Sequence, residues 1–200
     1  MNSNRWEKAR RYSHIGMSSD CNFTYAFQYQ KAYEILYKSQ APVDTIALPM
    51  LYSMRHYLEL ALKYNIEYFS DFSGSKSMVG KNVHTLTSLK NAFLEHWRLS
   101  KGRCSVNIDD NSLISDFTQL IQELDKVDIY AVSFRYSHDR QKNKNFEWLA
   151  TIDIHYLNEI FKSATTLLNH SVDVFEECTG LMHGSLTKDQ LLSSIQEPAS

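Results

Sequence analysis

The sequence predicts an all-α protein, a bundle of about five helices with a small β-hairpin inserted in it. Turn-forming residues are few, since the 200 residues include only 6 glycines and 3 prolines, and this favours long helices over many short strands. Apolar residues also recur at intervals of three and four in several long stretches, which is the spacing of one helix face. A chain of this length can bury a sufficient core without disulfides or metal ions. We therefore expect a single domain over residues 1–200.

The first helix is predicted over residues 20–40. Phe23, Phe27 and Ile35 fall at helical spacing there. Tyrosines recur every four residues along the same stretch, and this spacing indicates either core packing or a helix–helix contact in a dimer. These tyrosines are Tyr25, Tyr29, Tyr33 and Tyr37.

The second helix contains the stretch LPMLYSMRHYLELALKYNI, residues 48–66. Its start is predicted at Asp44 or closer to Leu48, because an acidic residue after a proline is typical of a first turn. Pro49 fits this helix only near the first turn or at a kink, since proline has no N–H to donate.

The third and fourth helices follow the polar loop of residues 70–83. The third is predicted to end near Arg98, where a polar stretch begins. The fourth begins with Asp109 and Asp110, acidic residues that the helix dipole favours in a first turn. Its predicted buried stripe consists of Leu113, Phe117, Leu120, Ile121 and Leu124.

The last long helix keeps one apolar face through about 25 residues and ends at Gly180, a typical C-cap. Residues 181–200 form a weakly determined tail, with a short helix predicted at residues 188–195. The apolar face consists of Leu157, Ile160, Phe161, Ala164, Leu167, Leu168, Ser171, Phe175 and Cys178.

The pattern changes between the fourth helix and the last long one, in residues 128–149. Val132, Phe134 and Tyr136 alternate as β-forming residues, and a polar basic turn and further aromatic residues follow. This order predicts the small β-hairpin.

Charge and cysteine content exclude several classes of protein. The chain has 21 Lys and Arg against 23 Asp and Glu, a net charge of −2, so it lacks the overall positive excess of a dedicated nucleic-acid binder. Cys21, Cys104 and Cys178 have no metal-binding spacing, which predicts reduced thiols in the cytoplasm and no metal site. No window reaches the roughly 18 apolar residues of a membrane span, and no phosphate-binding glycine loop occurs. We expect no membrane association and no cofactor.

Five polar side chains share one face of the second helix. At about 100° per residue they fall within one arc of roughly 100°. A charged side chain that a neighbouring element buries must have a partner of opposite charge, and the nearest such pair on this face is Arg55 with Glu59, at i and i+4. The face is therefore either covered by a neighbouring element or forms the floor of a groove. Its members are Tyr52, Arg55, His56, Glu59 and Lys63.

Three short motifs in this order resemble the HEPN superfamily of bacterial and phage-defence-associated proteins. Members carry a helix of the form Arg-His-x-x-Glu-Leu-x-x-Lys, a His-x-Leu helix start and a late Phe-Arg-Tyr. Here the first motif lies at residues 55–63, the second begins at His84 and the third lies at residues 134–136. The resemblance covers about residues 45–137.

The resemblance implies an up-and-down helical bundle that forms a homodimer and cleaves RNA without a metal ion, as a toxin or effector in phage defence. The superfamily's usual catalytic signature is an Arg followed by a His after four to six residues. That spacing does not occur here: three residues separate Arg10 from His14, and two separate Arg135 from His138. The missing signature favours an alternative, a non-catalytic HEPN-like regulatory subunit that binds RNA or a protein partner such as an antitoxin or defence subunit. An inhibitor of a defence enzyme is a further alternative.

Candidate site residues follow from the chemistry of metal-free RNA cleavage, which needs a base, an acid and a cation beside the phosphate. We expect Arg135 to reach Glu59, and His138 to face the same groove as His56. His84 is predicted chiefly as a helix-start residue. The catalytic candidates are His138, Arg135 and His56, the site-bracing candidates are Arg55, Glu59, Tyr136 and Lys63, and the RNA-binding candidates are Arg140, Lys142 and Lys144.

Overall fold

A computed structural model describes residues 21–76, 83–128, 132–139, 141–147 and 149–196. The helices in these ranges pack into a helical bundle around one apolar core, which confirms the predicted all-α class. None of the helices in the described ranges has the length and apolar content needed to cross a membrane. The helices are α1 (Asn22–Tyr37), α2 (Val43–Ser73), α3 (Leu86–Arg103), α4 (Asn111–Val127), α5 (Ile154–Thr179) and α6 (Lys188–Gln196).

The central helix of the bundle is α2, which packs against α1, α3 and α5. It begins at Val43, so the earlier of the two predicted starts is the better one, and Pro49 lies in its second turn. The side chains that it buries include Tyr57, Phe69 and Phe72, each fully enclosed. A helix that is buried on most of its sides can carry polar residues only where a neighbouring element pairs them.

The predicted apolar faces are largely confirmed. In α4 the stripe is buried except at Leu113, which is half-buried, and in α5 the face is buried except at Cys178, which is exposed. Gly180 ends α5 in the left-handed conformation, with φ of 79°, which glycine adopts without strain. The third predicted helix continues beyond Arg98 to Arg103.

The predicted β-hairpin does not form in the described part of its segment, where a single antiparallel bridge joins His138 to Lys144. The residues before that bridge form a turn instead of a strand. Asp128 causes the difference, because its Oδ1 accepts the N–H groups of Val132 (2.8 Å) and Ser133 (3.0 Å). A carboxylate that accepts two consecutive N–H groups favours a turn over extended backbone.

The helices α2 and α3 run in the same direction. His84, just before α3, lies beside Glu59 in the middle of α2, whereas His96 in α3 lies 2.8 Å from Ser73 at the end of α2. The predicted up-and-down order is therefore wrong for this pair. A parallel arrangement requires the chain to return from the end of α2 to the level of Glu59, a distance of about 21 Å along the helix. The connecting residues 74–85 are long enough, because twelve extended residues can span about 40 Å.

The helix α4 runs opposite to α3, since Thr87 at the start of α3 donates to Asp125 at the end of α4 (2.6 Å) and Lys101 near the end of α3 donates to Asp110 just before α4 (2.8 Å). The end of α4 therefore lies beside the middle of α2. The start of α3 reaches the same place because α2 and α3 are parallel. Three segments that are distant in sequence thus meet at one place: the middle of α2, the start of α3 and the end of α4.

Candidate functional site

Arg55 is buried at the meeting point of these three segments, with 1% of its surface exposed. Its Nε donates to the main-chain carbonyl of Asp128 (3.2 Å) and lies 3.4 Å from the carboxylate Oδ2 of the same residue. Its Nη2 donates to the carbonyl of His84 (3.1 Å). Burial lowers the pKa of Arg55, and the negative charge of Asp128 opposes that effect. Arg55 thus links α2 to the end of α4 and to the start of α3.

Asp128 is a site residue that the sequence analysis missed as a partner of Arg55. Its side chain is 1% exposed and links two structures, since it pairs with Arg55 and also accepts the N–H groups of Val132 and Ser133. Arg55 therefore contacts Asp128, and Asp128 in turn binds the main chain just before the Phe-Arg-Tyr segment. The predicted bracing of that segment by Arg55 is indirect by this route. The sequence signal for it is weak, a single acidic residue after the last helical position of α4.

Two side chains contact the same carboxylate oxygen of Glu59. Lys63 Nζ donates to Oε1 (2.7 Å), and His84 Nδ1 lies 2.8 Å from the same Oε1. Burial raises the pKa of Glu59, but the hydrogen bonds from Lys63 and His84 outweigh it and hold that pKa below its ordinary value. Glu59 is therefore an ionised carboxylate that lies between a lysine and a histidine.

The Glu59 contact fixes the tautomer of His84. An ionised carboxylate only accepts hydrogen bonds, so the proton of a neutral His84 ring must reside on Nδ1. Its Nε2 then carries a lone pair. The His84 side chain is 59% exposed, whereas that of Glu59 is 7% exposed. The arrangement is a buried carboxylate that orients an accessible imidazole, as in general-base pairs.

His56 occupies the neighbouring position on the polar face of α2. Its ring stacks on Tyr52, with centroids 5.6 Å apart and planes 10° apart, and meets the ring of Tyr29 edge-on at 4.3 Å. Burial lowers the pKa of His56, so its ring is neutral at pH 7. A neutral imidazole is a poor general acid at that pH but keeps the lone pair that a general base needs, so the predicted catalytic role of His56 is restricted to that of a base.

Arg135 connects this face with the Phe-Arg-Tyr segment. Its guanidinium carbon lies 5.9 Å from the centre of the Tyr52 ring and 5.5 Å from that of Tyr136. Both distances are within the range of cation–π attraction. Arg135 therefore brings the exposed Tyr136 next to the Tyr52 and His56 stack.

His138 lies in a separate groove of about 370 Å³, which we call the Tyr136 groove. Its Nδ1 is 2.9 Å from the hydroxyl of Ser137. His56 does not line this groove, so the predicted shared groove for His56 and His138 is not observed. The groove is lined by Leu48, Ser133, Phe134, Arg135, Tyr136, Ser137, His138, Lys144 and Phe146.

The predicted RNA-binding residues lie around this groove where they are described. Lys144 lines it and bridges to His138. Lys142 is exposed in the adjoining turn, with a left-handed φ of 67°. That turn is closed by Asn143, whose N–H donates to Asp139 Oδ1 (2.8 Å). Arg140 lies outside the described residues.

Comparison of the chain with family models, with curated proteins and with solved structures gives no match. The protein is therefore described by its own fold and by the contacts of its candidate site. It is a helical-bundle protein in which a buried Arg55–Asp128 pair lies beside a Lys63–Glu59–His84 cluster whose histidine is exposed.

Proposed function

We propose that the chain is a HEPN-like RNA-directed effector of the cytoplasm, a metal-independent endoribonuclease that acts in phage defence. The observation that carries this proposal is the 2.8 Å contact between Glu59 Oε1 and His84 Nδ1. That contact provides an oriented imidazole base on a face that also holds a lysine. Glu59 and Lys63 belong to the Arg-His-x-x-Glu-Leu-x-x-Lys motif and His84 to His-x-Leu, so both motifs supply the proposed site.

The proposed reaction is attack of the RNA's own 2′-hydroxyl on the adjacent phosphorus. His84 Nε2 accepts the 2′-hydroxyl proton, O2′ forms a bond to phosphorus, and the bond from phosphorus to O5′ breaks. The leaving O5′ takes a proton from water, which reaches this exposed position, and the resulting hydroxide takes back the proton that His84 accepted, so that the base is regenerated. The products are a 2′,3′-cyclic phosphate and a 5′-hydroxyl. General-base action of this kind contributes roughly 10²–10⁴ in rate.

Lys63 suits the charge that develops on phosphate in this reaction. Its ammonium and the His84 ring bind the same oxygen of Glu59, at 2.7 and 2.8 Å, so the two groups are neighbours. A cation beside the reacting phosphate stabilises the transition state electrostatically. We therefore assign the base to His84, and we assign Arg135, His138 and Lys144 to holding the RNA.

The test is RNA cleavage in EDTA by the purified full chain, with tRNA and total RNA as substrates. We expect cleavage by the wild type and a loss of about 10²–10⁴ in rate for His84→Ala. Because the His84 side chain is mostly exposed, this variant should keep the fold, which circular dichroism checks. His183→Ala is the matched control, because His183 is also exposed and lies 2.8 Å from a glutamate, Glu177, outside the site; this variant should cleave at the wild-type rate. Equal rates for His84→Ala and the wild type would exclude the proposed base.

A second candidate function is a non-catalytic HEPN-like subunit that binds RNA or a protein partner. The observation that favours it is that Lys63, Glu59 and His84 already satisfy one another, as purely structural networks do. A protein partner such as an antitoxin, a defence subunit or an inhibited defence enzyme belongs to this alternative, whereas the homodimer that the resemblance implies belongs to the first proposal. RNA binding without any cleavage by the wild type in the same assay would favour it.

A further inference from the structure

The Tyr136 groove combines aromatic walls with cationic edges. Phe134 is buried, and its ring lies 6.1 Å from that of Phe146 with planes 23° apart, in a stacked arrangement. Leu48 from α2 adds a third apolar side chain to the groove. Tyr136 is 59% exposed, so a large part of its surface is accessible. The groove therefore offers an apolar, partly aromatic surface on which a flat ligand can stack, with the accessible Tyr136 ring at its edge.

The charged residues of the groove indicate what such a ligand carries. Arg135 lies against the Tyr136 ring at 5.5 Å, and Lys144 lines the same groove. Among the described residues that line it, none is an Asp or a Glu. The groove therefore suits a flat ring that is attached to an anionic group. The hydroxyls of Ser133 and Ser137 can donate or accept hydrogen bonds at the edge of such a ring.

We propose that the Tyr136 groove binds one unpaired nucleobase of RNA, stacked on Tyr136, with the adjoining phosphate held by Arg135 and Lys144. This inference rests on the proposed function and specifies its substrate class as single-stranded RNA. Unpaired bases stack on aromatic and arginine side chains, whereas the bases of an A-form duplex are already stacked on one another. The groove thus selects RNA segments whose bases are free to turn outward.

Three RNA probes separate base recognition from phosphate recognition. They are a single-stranded oligoadenylate, an oligomer of equal length and charge that lacks its bases, and a fully paired RNA duplex. Binding is measured by fluorescence anisotropy in EDTA, with His84→Ala as the parent protein so that no cleavage occurs during the measurement. Tyr136→Ala and Tyr136→Phe are compared in this parent, and the Phe variant serves as the control that retains the ring.

We expect the parent to prefer oligoadenylate over the duplex. Tyr136→Ala should weaken oligoadenylate binding about 5- to 150-fold, the range for the loss of one base–aromatic stack. Tyr136→Phe should bind like the parent, and the oligomer without bases should bind the three proteins equally. Unchanged oligoadenylate binding by Tyr136→Ala, or equal binding of the duplex, would overturn this inference alone. Absence of all RNA binding by the parent and by the wild type would overturn the proposed function as well.

Discussion

Asp128→Ala is expected to destabilise the protein by about 3–5 kcal/mol, the typical cost of removing one member of a buried ion pair. The substitution leaves Arg55 buried at 1% exposure without its carboxylate partner. It also removes the acceptor of the Val132 and Ser133 N–H groups. Because natural domains are stable by only about 5–15 kcal/mol, a loss of this size is a large share of the total. Urea unfolding followed by circular dichroism measures it.

Two controls make this prediction specific. Asp173 lies 3.7 Å from His170 on the surface, in a pair whose side chains are both more than half exposed, so Asp173→Ala should change stability by less than about 0.5 kcal/mol. The double variant Arg55→Met with Asp128→Leu should be more stable than Asp128→Ala, because it leaves no buried charge unpaired. A loss below about 1 kcal/mol for Asp128→Ala would show that Asp128 does not brace the fold.

Glu59→Gln is expected to lower the rate of RNA cleavage by about 10²–10⁴, comparable to the loss of the base itself. The amide has nearly the shape of the carboxylate, and its oxygen can still accept from Lys63 and His84 at the Oε1 position, but it is neutral. The imidazolium that forms when His84 takes the 2′-hydroxyl proton would then lack the negative charge that stabilises it. In Ser-His-Asp hydrolases the same exchange of a carboxylate for an amide costs about 10⁴ in kcat.

The matched control for Glu59→Gln is Glu176→Gln. Glu176 also accepts a hydrogen bond from a side chain, that of Tyr68 (2.7 Å), but it lies on α5, away from the Lys63–Glu59–His84 cluster. We expect its amide variant to cleave RNA at the wild-type rate. The measurement is the single-turnover rate on one RNA at a fixed pH. If both variants cleave like the wild type, His84 does not depend on Glu59 for catalysis.

The sequence predicts the parts of this fold that local periodicity determines. The apolar stripes of α4 and α5 are buried as predicted, because a face that repeats every 3.6 residues must pack against a core. The polar face of α2 was also predictable from the angle per residue. The segment around Phe134 was not, since its alternating pattern favours a strand while the capping carboxylate of Asp128 favours a turn.

The partners of the polar face could not be predicted from periodicity. Glu59 and His84 are 25 residues apart, and Arg55 and Asp128 are 73 apart. Both contacts exist because α3 runs parallel to α2 and α4 returns beside them, and no local pattern encodes that order. The His-x-Leu motif did draw attention to His84, but its spacing alone indicates a helix start and says nothing of the carboxylate that it contacts.

The chemical nature of the RNA products is the sharpest test of whether His84 activates the 2′-hydroxyl of RNA. The wild type is incubated in EDTA with an RNA that has one unpaired loop, and with a copy in which every loop nucleotide is 2′-deoxy. We predict a 2′,3′-cyclic phosphate and a 5′-hydroxyl from the first RNA, and no cleavage in the loop of the second, because the attacking 2′-hydroxyl is absent. Cleavage of both RNAs at equal rates, or binding of the first without any product, would contradict the assignment of His84 and Glu59 as the RNA-cleaving pair.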